Sequence, residues 1–151
     1  MRTIKRDIAG ALLFSNDGHV LIGKNVKGGV YEDLWVVPGG GIDEGESKEA
    51  AMKREILEEV GIDISNAKVE PIKLVQTGTT EKTLRDTGER LLVEMTFYNF
   101  KVTIDKSAQD VPIKLEDDFG HAEWVPIKEL SKRSYSPSVE GLLKSLELIP
   151  R

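Results

Sequence analysis

Three glutamates near the middle of the chain, Glu55, Glu58 and Glu59, stand at helical spacing directly after Arg54. At about 100° per residue they fall within one sector of roughly 100°, and Met52, Ile56, Leu57 and Val60 fill the opposite and adjoining sector. An acidic solvated face is the plain alternative, but such a face would normally pair each Glu with a Lys. Here Glu55 and Glu59 are like charges four residues apart, which costs a helix about 0.2–0.5 kcal/mol. Glu58 and Glu59 also lie where the helix dipole disfavours anions. A cation among them would offset both costs. Oxygen donors with no neighbouring His or Cys select Mg²⁺ or Mn²⁺, ions that commonly bridge carboxylates to phosphates. The run Pro38-Gly39-Gly40-Gly41 lets backbone pass close to a ligand and offer it carbonyls or N–H groups.

The elements that must position these groups follow from pattern. Residues 47–60 read as a helix with Ser47 as its cap and Gly61 just past its end. Residues 8–14 and 19–23 read as strands joined by a turn that carries Asp17-Gly18, a strong hairpin signal. Residues 34–37 form a short apolar strand stopped by Pro38, and further strands fall at 71–76, 91–102 and 122–125. Between them, 77–89 is polar without an apolar period and long enough to read as a functional loop. Residues 136–148 read as a second helix with Pro137 at its first position and a stripe of Val139, Leu142, Leu143 and Leu146. Strands mixed with helices predict one layered α/β domain over 1–151.

Composition bounds the function. The chain has 151 residues, 39% hydrophobic and 31% charged, with 21 Lys plus Arg against 26 Asp plus Glu and no Cys. Disulfides, Cys-ligated metals and thiol nucleophiles are excluded. A net charge of −5 argues against holding a nucleic-acid polymer by its phosphates, though not against a free nucleotide bound through metal. Residues 40–62 hold seven of the acids and three of the bases, so nearly all the net charge gathers on one loop and helix. The apolar run at 8–14 is too short to span a membrane, and the expectation is a cytoplasmic protein.

The series Gly40-x5-Glu46-x7-Arg54-Glu55-Ile56-x-Glu58-Glu59-x-Gly61-Ile62 resembles the complete signature box of the Nudix hydrolases. The segments Trp35 to Pro38 and Glu123-Trp124-Val125-Pro126 also resemble strands of that family. The resemblance implies an α/β/α sandwich around a mixed sheet, and hydrolysis of a nucleoside diphosphate linked to another group. It assigns Glu55, Glu58, Glu59 and the Gly39 carbonyl to a divalent metal. It makes Arg54 the holder of the carboxylates and Glu46 a support for loop–helix packing. Three acids qualify as general base: Glu55, Glu59, and Asp118 in the acidic run 116–118.

Outside the box, Gly40, Gly41, Lys24 and Arg85 are the expected substrate contacts, the last two as cations on or beside loops. Lys27, Lys82 and Arg90 are further candidates of the same kind. His19 and His121 read as turn residues, and Trp35 and Trp124 as packing with a nucleobase platform as the alternative. Family hints for substrate lie after the box: a proline goes with ADP-ribose hydrolases and a later tyrosine with dinucleoside polyphosphate hydrolases. Thr77 and Thr79 stand there instead. The compact chain favours a nucleoside triphosphate, with nucleotide sugars, other polyphosphates and a non-catalytic nucleotide-binding regulator of the same fold as alternatives, and a homodimer is compatible with the family resemblance.

Overall fold

The computed structural model describes residues 1–25, 33–115 and 119–151. In chain order its elements are β1 (Arg2–Phe14), β2 (His19–Asn25), β3 (Gly39–Gly41), α1 (Lys48–Val60), β4 (Lys68–Thr83), β5 (Arg90–Thr103), β6 (Phe119–Pro126) and α2 (Pro137–Ser145). Short 3-10 segments lie at Ala108–Asp110 and Ile127–Lys132. The strands form one sheet in the order β4-β5-β1-β2-β6, with β3 added beside β1. The β1·β5 pairing is parallel from Arg2↔Leu91 to Phe14↔Thr103, and the remaining pairings are antiparallel, so the sheet is mixed.

Period-2 alternation along β1 divides its side chains between two cores. Ala9, Ala11 and Leu13 face α1 with Met52, Ile56 and Val60, and Leu12 and Phe14 face α2 with Val139, Leu142 and Leu143. The sheet is therefore covered by a helix on each side. In α1, Ser47 Oγ accepts the Ala50 N–H at 3.0 Å, and Gly61 closes the helix in the left-handed conformation at φ 68°. Met52, Ile56 and Val60 are fully buried. At about 1.5–3 kcal/mol each, their burial exceeds the few tenths lost to each misplaced acid, so packing outweighs local electrostatics. Leu57, assigned to the apolar side by its spacing, is instead 52% exposed, because it turns past the edge of the contact with the sheet.

Two expected elements change. The apolar stretch 34–37 makes only isolated bridges, Trp35 with Tyr135 and Val36 with Gly23, and the strand next to it is the glycine run itself. Glycines can pair there because β1 and β3 approach closely, in the register Ile8↔Gly41, Ala9↔Gly40, Gly10↔Gly39. The polar segment 77–89 is not a loop over most of its length. β4 continues to Thr83, paired with β5 as far as Thr83↔Arg90. Alternating β-branched threonines sustain a ladder without an apolar face, and only the tight turn around Gly88 (φ 71°) remains. No described helix is long and apolar enough to cross a membrane.

Candidate active site

Arg54 organises the acids. Its Nε and Nη2 form a fork on Glu46 at 2.8 and 2.9 Å, and Nη2 also donates to the Gly41 carbonyl at 3.0 Å. Nη1 donates to Glu55 at 2.9 Å and to Glu58 at 3.4 Å, and Asp43 stands 3.5 Å from Nη2. One guanidinium thus ties the loop before the helix to the acids on it, with the geometry that suits a planar fork. The Arg54 hydrogen bonds, helped by the Asp43 N–H, lower the Glu46 carboxyl to about 2, and in return Arg54 is held more firmly protonated. Glu55 shifts the other way: burial pushes its carboxyl up, against the pull of Arg54.

Glu59 turns inward from the same helix. It is 7% exposed, and its Oε1 accepts the Gly39 N–H at 2.7 Å, while the preceding Pro38 carbonyl accepts the Ala11 N–H at 3.1 Å. The strand β3 therefore sits clamped between β1 and the acids of α1. Gly40 leaves the space that the Glu55 carboxylate occupies, and a Cβ there would run into that group. At Gly41 the space is taken by the Arg6 guanidinium, an exposed cation with no ion pair to any described residue. Arg6 is invisible as a site residue in the sequence, since nothing in a basic N-terminal segment reveals that β1 carries it across to the glycine strand.

The described residues contain no group of three acids or histidines gathered at metal-binding spacing. Glu55 and Glu58 share the Arg54 guanidinium, and Glu59 holds a backbone N–H. The donor set nevertheless suits a hard divalent cation. It consists of carboxylate oxygens on one helix, two of them already drawn around a positive centre, with a cradle at Gly40 that any side chain would fill.

Beside this cluster lies a cavity of about 210 Å³ between β1, β5, the segment 36–39 and α2. Gly39 and Glu59 form part of its wall, and Ile8, Val37, Pro38, Met95, Phe97 and Leu142 supply apolar surface. A larger cavity of about 440 Å³ opens at the far end of α1 around Asp63, Asp105 and Asp110, but none of the box acids borders it. Position decides between them, and the smaller one adjoins the chemistry.

The other expected residues fall elsewhere. Lys24 lies with its Nζ 5.0 Å from the Trp35 ring, which Arg133 also approaches at 4.3 Å and His121 edge-on at 5.7 Å. Arg133 and His121 both bond Glu123, lowering its carboxyl. Trp35 of this cation–aromatic group directly precedes the 36–38 wall in the chain. Arg85 is exposed in the β4–β5 turn, beyond the Arg2 end of β1. The glycine strand pairs with β1 only from Ile8 to Gly10. At the rise of an extended strand that is about 20 Å farther along, so the structure does not bring Arg85 to the site. Trp124 is partly buried against the α1-side core, with its indole N–H on the Val111 carbonyl at 3.1 Å. Asp118 and Lys27 lie outside the described residues.

A mixed sheet covered on both faces, with an arginine-organised acidic helix docked on a glycine strand, defines a small α/β domain whose chemistry sits on one loop and one helix. Residues 4–146 match the model of the NUDIX domain, and the chain belongs to the Nudix family of hydrolases. A nucleoside triphosphatase NudI of Escherichia coli O17:K52:H18 is 30% identical over 119 residues, 78% of this chain and 80% of that protein. An RNA pyrophosphohydrolase of Wolbachia sp. subsp. Brugia malayi is 50% identical over 58 residues, 38% of this chain, and the match spans only 34% of that relative's length. The solved structure of the E. coli dihydroneopterin triphosphate pyrophosphohydrolase superposes with a TM-score of 0.70 over 94% of this chain and 96% of that one, and at 18% identity it shows the shared fold.

Proposed function

We propose that this chain hydrolyses a phosphoanhydride bond in a nucleoside diphosphate linked to a further group, with a nucleoside triphosphate as substrate and Mg²⁺ or Mn²⁺ as cofactor. The observation that carries the reading is the placement of Glu59 and Gly39: the acid accepts the glycine N–H, and both line the adjoining cavity. A nucleotide lying in that cavity would point its phosphates toward the helix. Glu55, Glu58 and Glu59, with the Gly39 carbonyl, would hold the metal, which supplies charge neutralisation on the phosphates and an activated water.

The protein's own groups then have distinct tasks. Arg54 sets the directions of Glu55 and Glu58, and its fork on Glu46 keeps the glycine loop at a constant distance from the helix. Buried Glu59 fixes the Gly39 peptide against β1. Arg6, lying against Gly41, faces the same strand and supplies a cation for an approaching phosphate. Gly40 and Gly41 carry no side chain, and so let Glu55 and Arg6 lie against the strand where substrate arrives. The nucleoside triphosphate is favoured over a nucleotide sugar because the relative matched over 80% of its length is a nucleoside triphosphatase.

The test is product release from a panel of nucleoside triphosphates, nucleotide sugars and dinucleoside polyphosphates, with pyrophosphate and orthophosphate measured separately. Mg²⁺-dependent release from a triphosphate, silenced by EDTA, is expected. No release from any compound in the panel, or full activity in EDTA, overturns the reading.

A further inference from the structure

We infer that Asn99 is a specificity residue that reads the edge of a planar heterocyclic base seated in the cavity beside Glu59. The inference rests on the proposed function for the neighbouring phosphate chemistry, and adds to it the class of group the cavity accepts.

Asn99 lies in the middle of β5, opposite Gly10 of β1, and is 8% exposed. It lines the cavity. Two neighbouring polar groups are engaged within the protein: Glu59 by the Gly39 N–H, and the Tyr135 hydroxyl by the Leu130 carbonyl. The Asn99 amide makes no hydrogen bond to a described residue. Ser136 lines the same cavity, and its rotatable hydroxyl can follow whichever partner Asn99 selects. An amide that lines a cavity and bonds no protein group keeps its donor and its acceptor available to whatever enters that cavity. Gly10 makes the room: a Cβ at that position would stand 2.9 Å from the Asn99 Oδ1 and 3.1 Å from the Pro38 carbonyl.

The surroundings choose the ligand. The cavity holds about 210 Å³. That is less than a pocket needs to enclose a whole drug-sized ligand, so it takes one ring system and leaves the rest outside. Its Ile8, Val37, Met95 and Phe97 walls suit the faces of a flat ring. A carboxamide presents one donor and one acceptor side by side, which complements the adjacent donor and acceptor on the edge of a nucleobase. A phosphate offers acceptors only and would set a lone pair against Oδ1. A sugar ring would strand its hydroxyls on the apolar walls.

Equilibrium binding to the intact chain in EDTA separates this from catalysis. Nucleoside 5′-monophosphates of the four bases and ribose 5-phosphate are titrated by calorimetry into the wild type, Asn99→Leu and Asn99→Asp, alongside thermal melting and the release assay. At least one nucleotide is expected to bind tenfold or more tighter than ribose 5-phosphate. Asn99→Leu should weaken that nucleotide at least tenfold, leave ribose 5-phosphate unchanged, and still unfold in one cooperative melt. Asn99→Asp keeps the shape, loses the donor and adds a charge that acts on both phosphates alike, so it should weaken the nucleotide more than ribose 5-phosphate, and it stands in if the leucine variant does not fold. Unchanged nucleotide affinity, an equal loss for ribose 5-phosphate, or no binding of any nucleotide overturns the inference. Release activity that ignores Asn99 overturns it while sparing the proposed hydrolysis. Asn99-dependent binding without any hydrolysis supports it and defeats the proposed hydrolysis instead.

Discussion

Gly39 and Gly40 are adjacent, neither has a positive φ, and the two should respond to substitution by alanine in opposite ways. A Cβ at Gly39 would stand 2.6 Å from the Ala9 carbonyl oxygen and 2.7 Å from the Gly10 Cα, both backbone atoms of a paired strand that cannot give way singly. Overpacking of this kind costs about 1–3 kcal/mol. A Gly-to-Ala change returns about 0.4–1 kcal/mol through the unfolded chain, leaving a net loss of about 1–2 kcal/mol. For a chain of this size that lowers the melting temperature by about 2–8 °C. At Gly40 the obstacle is the Glu55 carboxylate, the far end of a flexible side chain. Turning it aside costs about 0.5–1.5 kcal/mol of rotamer strain, which the same unfolded-state gain nearly cancels. Gly40→Ala should therefore melt within about 2 °C of the wild type. Its Mg²⁺-dependent turnover should fall about 10²-fold, the usual consequence of displacing a catalytic group by an ångström. Differential scanning fluorimetry and a continuous phosphate-release assay on Gly39→Ala and Gly40→Ala decide the matter. Wild-type turnover in Gly40→Ala, or equal melting losses in both, would show that the glycine strand is not the cradle of Glu55.

Three further outcomes are expected. Glu59→Gln keeps an acceptor for the Gly39 N–H, so it should fold with an unchanged melting temperature and lose Mg²⁺-dependent turnover; activity comparable to the wild type would remove Glu59 from the metal set. Ser47→Ala deletes the cap on the Ala50 N–H and should cost about 1 kcal/mol, seen as a lowered denaturation midpoint with an unchanged slope. Tyr135→Phe removes one of two hydrogen bonds onto the Leu130 carbonyl, the other coming from the Arg133 N–H, at a cost of about 0.5–1.5 kcal/mol. Burial pushes the Tyr135 hydroxyl up to about 12 from its usual 10.0. Because the folded value is the higher one, its contribution is complete below about pH 10 and is lost as pH rises toward 12. The phenylalanine variant should lack that alkaline component in melts recorded from pH 9 to 12.

Legibility in the sequence follows the range of the interactions. The helix over 47–60 with its Ser47 cap and Gly61 end is readable because capping and helical periodicity act within four residues. The hairpin at Asp17-Gly18 is readable for the same reason, and Gly18 takes the expected positive φ of 79°. The continuation of β4 through Thr77 and Thr79 is not readable, because a strand with no apolar face is held by its partners on β5, Thr96 and Glu94, which no local window includes. Leu57 departs from its spacing because periodicity gives an angle around the helix and not the width of what packs against it. Arg85 could reach the site only from a long free loop, and the β4–β5 pairing replaces that loop and carries the side chain away.

Which acids share a helix face, that Arg54 stands next to them and that a glycine run precedes them can be read from the chain alone, because side-chain type and local spacing are properties of one contiguous segment. What those groups face depends on contacts between distant segments. The parallel pairing of β1 with β5 sets Asn99 opposite Gly10, β3 inserts between β1 and the helix so that Gly39 meets Glu59, and α2 closes the far wall with Leu142. Asn99 and Gly10 are separated by more than half the chain. Their meeting depends on strand register, where a slip of one residue would turn every side chain to the opposite face.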